Sequence, residues 1–383
     1  MTALISPRGR ARAAVVLILA LATCWVGAAQ AADKIRIANF IPPKHPTNTA
    51  GFKVLMDGIS KDTNGAFEFQ LFAGGSLLGA KATPQGVRDG LAEIGLAAWP
   101  YFPAEYPSIN LVSALAMLGK SAPAMTGAVN EFLLLNCPSC EKETAAQGLI
   151  HLGSTSSTSY ALVSKKPIKG PEDLKGLKMR AGGAAWNRWA DYVGGTSVRI
   201  PSSEQYSGLS SGVIDVAITN ITALAAYSLW DVAKHLNMLP LGTYHGVGLV
   251  AINPAFWRSL TTAQRQIFID NTAKAVIATS VGYETADKDT LAKAKAKNIV
   301  ITEPNAALIA QTEAFRKQET ATLAVFAKEK YKIANPEPMI DRFVALVEKW
   351  EKIFASDERD LDKMAEIMRR EIYGKLDAAT FGM

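Results

Sequence analysis

Few side chains in this sequence are spaced for catalysis. His45, His151, His235 and His245 are isolated, with no second histidine three or four residues away to share a metal ion. No G-x-S-x-G, H-E-x-x-H, Walker loop or G-x-G-x-x-G is present, so no nucleophile comes paired with a base and no loop is built to cradle a phosphate. Cys137-Pro138-Ser139-Cys140 is a C-x-x-C. A thioredoxin-like redox pair opens a helix directly after a strand. This pair instead ends a helical run over 122–136, so the expectation is a local disulfide staple. No metal or cofactor is expected.

What remains is binding chemistry. Arg180 offers a planar fork of donors suited to a carboxylate. Trp99, Tyr101, Tyr160, Trp186 and Trp189 fall around predicted site loops, where flat rings can wall a cleft. Trp186 and Trp189 lie three apart on a predicted helix, and at least one is expected in the core.

These residues need a scaffold, and composition bounds it. The chain has 383 residues, 49% apolar and 20% charged, which are globular values for two or three domains. Arg8, Arg10 and Arg12 precede an apolar run over 13–29, and Ala29-Gln30-Ala31 satisfies the small-x-small cleavage rule. Residues 1–31 therefore read as a cleaved secretory signal peptide and the product as an exported protein. Leu21-Ala22-Thr23-Cys24 is close to a lipoprotein box, but Thr23 fits poorly before the cysteine. The leader takes away three arginines and no acid, leaving 38 basic against 35 acidic residues, net +3. With no dense basic run, nucleic-acid binding is not expected.

Along the mature chain, 35–38 reads as a strand, 47–63 as a helix with Phe52, Leu55, Met56 and Ile59 on one face, and 67–71 as a strand. A glycine-rich loop at 74–79, a short helix and a strand over 91–97 complete β-α-β-α-β, the sign of a mainly parallel sheet. The plan repeats over 179–218, and the segments 90–96 and 212–218 share one pattern of glycine, apolar pair and acid. Trp99 and Asn220 then lie just past equivalent strands, where open α/β sheets bind ligands. Residues 154–159 and 242–248 are the candidate crossings between lobes. Thr261 and Gln264 have capping-box spacing before a proline-free stretch to about 297, long enough to span both lobes.

Leu174-Lys175-Gly176-Leu177-Lys178-Met179-Arg180 resembles the "DLKGLKIR" segment of the TRAP-transporter substrate-binding proteins, the DctP-like family. So does Pro201-Ser202-Ser203-Glu204-Gln205-Tyr206 with Leu209, Gly212 and Asp215, and so do Thr63-Asn64-Gly65, the segment 72–79 and Gly90-Leu91-Ala92-Glu93, in order along residues 34–340. The resemblance implies a receptor, not an enzyme. It would deliver an organic acid to a small and a large membrane permease subunit driven by a sodium or proton gradient. Arg180 takes the place of the family's carboxylate-gripping arginine. Ala181-Gly182-Gly183 stands where the family often has Pro and Asn, which opens space beside the carboxylate.

The fold expected is an α/β two-lobe clamp, type II-like among periplasmic binding proteins, with a lobe-spanning helix. Lobe I takes residues 32–155 and about 245–280, and lobe II takes 156–244 and about 281–383. The ligand-binding candidates are Arg180, Trp99, Phe40, Tyr160, Thr219, Asn220, Tyr206 and His245. Tyr206 reads equally as a packing residue, and His245 equally as a hinge hydrogen-bonder. The lack of a second obvious arginine points to one carboxylate with an apolar or aromatic remainder. A binding protein for an ABC importer or sensor kinase is the alternative, and a periplasmic enzyme on an organic acid is a weaker one.

Overall fold

The computed structural model describes residues 33–356 and 358–383, so the expected leader at 1–31 lies outside the described residues. The described strands are β1 (Asp33–Ala38), β2 (Phe67–Phe72), β3 (Ile94–Ala98), β4 (Ile150–Thr155), β5 (Tyr160–Ser164), β6 (Lys178–Arg180), β7 (Thr196–Val198), β8 (Val216–Asn220), β9 (His235–Asn237), β10 (Val247–Ile252) and β11 (Val300–Thr302). They form two sheets, ordered β2-β1-β3-β10-β4 and β11-β9-β5-β8-β6-β7. Each sheet, with its helices, is one lobe of a two-lobe clamp. Continuous apolar runs such as Ile94–Ala98, buried along their whole length, suit strands covered on both faces by helices.

β1 runs parallel to β2 and β3, and β6 runs parallel to β7 and β8. The sheets are not parallel throughout. β10 inserts antiparallel between β3 and β4, and β5 lies antiparallel to β8 and β9. The cause is the double crossing: the chain leaves the first lobe through β4 into β5 and returns through β9 into β10. The two crossings touch. The Ser157 and Tyr160 amides donate to the Tyr244 and Gly242 carbonyls (2.9 and 2.7 Å), and the Leu241 amide donates to the Tyr160 carbonyl (3.0 Å). They make a paired ribbon, a natural hinge.

A third connection is the helix Thr262–Ala294, 33 residues long and so about 50 Å. Its start is the expected capping box: the Gln264 amide donates to Thr261 Oγ1 (3.2 Å), and the Thr261 amide donates to Gln264 Oε1 (2.9 Å). Phe268, Ile269 and Val276 pack in the first lobe's core, and Ala294 packs in the second's. Asp287 Oδ1 accepts from the Thr222 amide (2.6 Å) and hydroxyl (2.5 Å), fastening the far half to the second lobe.

Two of the C-terminal helices depart from expectation. The helix Ala306–Phe326 packs on the second lobe, where Trp189 Nε1 donates to Thr312 Oγ1 (3.2 Å). The helices Glu337–Ile353 and Leu361–Glu371 return to the first lobe, not the second. Ile340, Phe343, Val347 and Trp350 form a helical stripe that fits the helix Ala122–Glu131. Trp350 covers Gly127, where an added Cβ would come within 2.2 Å of the ring, and its Nε1 donates to buried Glu131 (2.7 Å). Cys137 and Cys140 form a disulfide (Cα–Cα 5.3 Å). The pair closes one helical run and also opens the next, Pro138–Ala146.

Gly242 has φ +80°, and a Cβ there would lie 2.3 Å from the Ala116 carbonyl. The Gly242→Ala variant is expected to lose about 2 kcal/mol or more in urea unfolding; an unchanged midpoint would show that the ribbon does not lean on this contact. Burial also holds three imidazoles neutral, His45 down to about 3 and His151 and His245 to about 4, from 6.5. The unfolded chain takes up protons below pH 6.5 that the folded chain refuses, so each site costs up to about 1.4 kcal/mol per pH unit between 6.5 and its folded value. Buried Glu143 and Asp287, whose carboxyls are pushed up by desolvation, act with the opposite sign. His245→Gln is therefore expected to shrink the stability difference between pH 7.5 and pH 5 by about 2 kcal/mol; the same difference in both proteins would contradict the buried neutral imidazole.

Candidate functional site

Arg180 is the last residue of β6, and the register of that strand decides where its side chain goes. Asp215 holds β6 beside β8: its Oδ2 accepts from the Lys178 amide (2.9 Å), and its own amide donates to the Lys178 carbonyl (2.8 Å). Met179 turns into the core, and Arg180 faces the cleft between lobes, 1% exposed. Its Nε donates to the Ile200 carbonyl (2.9 Å) and its Nη2 to the Tyr101 hydroxyl (3.2 Å). Among the described residues no acceptor meets Nη1, and no carboxylate pairs with the guanidinium. A buried cation without a counter-ion is costly, and it marks where an anion is wanted.

Around Arg180 lies a cavity of about 40 Å³, formed by both lobes. With the lobes this close the space holds a few waters, and a larger guest needs the lobes to part. Its walls are aromatic. Tyr160 stacks on Trp186 (centroids 4.5 Å) and on Tyr244 (5.8 Å). Trp186 is fixed from behind, its Nε1 donating to the Leu241 carbonyl (2.8 Å). From the first lobe come Phe40, Tyr101 and His45, and His45 sits edge-on to Tyr227 (5.7 Å) and to Tyr283 of the long helix (5.2 Å). Burial raises the Tyr160, Tyr227, Tyr244 and Tyr283 phenols, so they stay protonated and can donate. The Tyr244 hydroxyl and Gln205 Oε1 are buried without a hydrogen-bond partner. Together with Nη1 of Arg180 they offer unused donors and an unused acceptor to one small polar guest.

Tyr101 ties the lobes. It stands at the end of the turn Trp99–Tyr101 in the first lobe, and its oxygen also accepts from the Ser202 amide of the second (3.0 Å). Ser202 Oγ in turn accepts from the Tyr227 hydroxyl (3.2 Å).

Five of the eight ligand-binding candidates line this cavity, Arg180, Phe40, Tyr160, Thr219 and Asn220, and so does Tyr101 from the aromatic set. Asn220 Oδ1 accepts from the Ala223 amide (3.1 Å), which fixes the amide group at the end of β8. Three others lie elsewhere. Trp99 is inside the first lobe, against Tyr106 (4.7 Å) and beneath Gly248, where a Cβ would come within 2.6 Å of the ring. His245 is buried with its Nε2 at the Val112 carbonyl (3.0 Å) and its ring stacked on Phe343, so it braces a crossing. Tyr206 is 42% exposed; the preceding residue, Gln205, points inward. His45, Tyr227, Tyr244, Tyr283 and Gln205 were not among the sequence candidates. Tyr244 and Gln205 each adjoin a residue that was chosen. Tyr283 is a single aromatic of the long helix and Tyr227 caps the short helix Ala223–Ala226, with no local signal at either.

The family model for bacterial extracellular solute-binding protein, family 7 (DctP), matches residues 37–329. The 2,3-diketo-L-gulonate-binding periplasmic protein of Escherichia coli is 27% identical over 230 residues, 58% of this chain and 67% of that one. A solute-binding protein of Albidiferax ferrireducens is 24% identical over 186 residues, 49% of this chain, and this chain spans about half (54%) of its length. Among solved structures, a marine-metagenome TRAP solute-binding protein specific for aromatic acids, in complex with metahydroxyphenylacetate, superposes with TM-score 0.74 at 20% identity. That match covers 83% of this chain and 99% of the other. A TRAP solute-binding protein of Rhodoferax ferrireducens, in complex with copurified benzoate, superposes with TM-score 0.73 at 21% identity, covering 84% and 99%. At such identities the likeness to solved structures is one of fold. The family match covers most of the chain and both lobes, and this chain belongs to the bacterial extracellular solute-binding proteins of family 7, the DctP family.

Proposed function

We propose that this protein is the solute receptor of a TRAP-type secondary transporter and captures an organic acid between its lobes. The observation that carries the reading is the unpaired Arg180 guanidinium, buried in an aromatic-walled cavity that both lobes build. A carboxylate is the guest that offsets this charge. It takes the free Nη1 edge of Arg180, and neutral phenols of the wall donate to its second oxygen. The remainder of the acid lies against Phe40, Tyr160 and Tyr244, which favours an apolar or aromatic body. The aromatic acid and the benzoate in the two related structures are of that kind.

Capture is a closing motion. The lobes turn about the paired crossings while the long helix keeps them in one frame. Closure brings Tyr101 of the first lobe onto Arg180 and Ser202 of the second. The acid sits in the same cleft, so binding and closure are one equilibrium. The reading extends to export through the 1–31 leader into the periplasm, and to transfer of the acid to a small and a large permease subunit. It is read as a receptor's site because the matching family is one of solute-binding proteins.

Two variants test this. Arg180→Ala is expected to weaken binding of the cognate acid at least about 100-fold in calorimetry, the loss of two charge-assisted bonds; near-normal affinity would remove Arg180 from the site. Tyr101→Phe removes only the interlobe acceptor. It is expected to weaken binding by about 5- to 10-fold, mainly through faster release; unchanged release would show that the Tyr101 hydroxyl does not hold the lobes together.

A further inference from the structure

Beyond the Tyr101 ring lies a second, larger space between the lobes, of about 570 Å³. It shares Tyr101 and Gly182 with the inner cavity, so one tyrosine and one glycine form the partition. Three cations border it from three parts of the chain: Lys81 of the first lobe, Arg199 of the second, and Lys330 at the end of the helix Ala306–Phe326. Among the described residues none of the three has an ion-pair partner, and no aspartate or glutamate lines the space. Asn187, on the helix Ala184–Tyr192, also borders it; the residue is 6% exposed, and its Oδ1 is buried without a hydrogen-bond partner.

We infer that this outer chamber is a second binding subsite, for the distal anionic group of an acid too long for the inner cavity. The inference rests on the receptor reading above, with the first carboxylate at Arg180. The inner cavity of about 40 Å³ has no second cation, because its one other basic side chain, His45, is held neutral. A second ionised group therefore finds no partner there. The adjoining space with unpaired cations is the outer chamber. Gly182 leaves the way open: a Cβ there would lie 3.4 Å from Tyr244 Cε2 and 3.5 Å from Arg180 Nη2, so a side chain any longer would narrow the partition. The ligand class is a chain or ring acid with a carboxylate, sulfonate or phosphate several bonds from the first carboxylate. Its body carries a hydroxyl or N–H that donates to Asn187 Oδ1.

The test is calorimetry on the exported chain, residues 32–383, with matched pairs of probes. Hexanoate, octanoate and decanoate are set against adipate, suberate and sebacate, with benzoate and mandelate as short monoacids. Each is measured on the wild type and on the double variant Arg199→Gln, Lys330→Gln, whose melting temperature is checked first. The expected result is that at least one of the longer diacids binds more tightly than its monoacid partner. The double variant is expected to lose about fivefold for that diacid, two exposed charges, with monoacid affinity unchanged. If monoacids bind but no diacid gains over its partner, or if the variant weakens both alike, the outer subsite is overturned and the receptor reading stands. If no acid of either kind binds the wild type, the receptor reading falls and the inference falls with it.

Discussion

A guanidinium at 1% exposure, held by one backbone carbonyl and one phenol oxygen and by no carboxylate, is the constraint on which the rest of the molecule turns. Removing a cation from water costs several kcal/mol even after relaxation, and neutral acceptors return only part of it. The closed, empty clamp therefore carries a penalty that an anion cancels and that water cancels when the cleft opens. One side chain thus couples ligand charge to lobe position. The aromatic wall raises the stakes by excluding the water that would otherwise screen Arg180, and it also supplies protonated phenols that donate to a carboxylate.

The scaffold suits that coupling. Arg180 is set by β6, whose register Asp215 fixes to β8, while Tyr101 comes from a short turn of the other lobe. Four connections join the lobes: two crossings hydrogen-bonded to each other, one long helix fastened at both ends, and the segment 327–336 that carries the chain from the helix Ala306–Phe326 back to the first lobe. The last two helices add mass to the first lobe, through Trp350 on Gly127 and through Glu131, while the helix Ala306–Phe326 stays with the second. A pair of rigid bodies on a narrow ribbon converts a small change at Arg180 into a movement of the whole cleft.

Much of this was legible in the residues. The β-α-β starts, the capping box at Thr261 and the strand ending at Arg180 follow from local periodicity and local hydrogen bonding. The antiparallel insertion of β10 did not, because pairing partners far apart in sequence leave no local trace. The helices Glu337–Ile353 and Leu361–Glu371 pack on the first lobe rather than the second for a related reason: an apolar stripe such as Ile340–Trp350 declares that it will pack but not on what. At the site the errors are of one residue or two. Tyr244 lines the cavity and His245 faces away, Gln205 points in and Tyr206 out, Tyr101 reaches the cleft and Trp99 the core. Alternation along the extended crossing separates Tyr244 from His245, whereas Gln205 and Tyr206 stand about 100° apart on a helix and Trp99 and Tyr101 diverge across a tight turn. Tyr227 and Tyr283 were invisible because only tertiary packing brings their helices to the cleft.

The central claim is that the uncompensated charge of Arg180 keeps the empty clamp open and that an acid closes it. Small-angle scattering on wild type and on Arg180→Met, each with and without a bound acid, measures this directly. The account predicts that the wild type is expanded when empty and contracts with acid, while Arg180→Met, freed of the buried charge, is already contracted without ligand and does not respond to it. An empty wild type as compact as the liganded form, or an Arg180→Met protein that stays as expanded as the empty wild type, would contradict it.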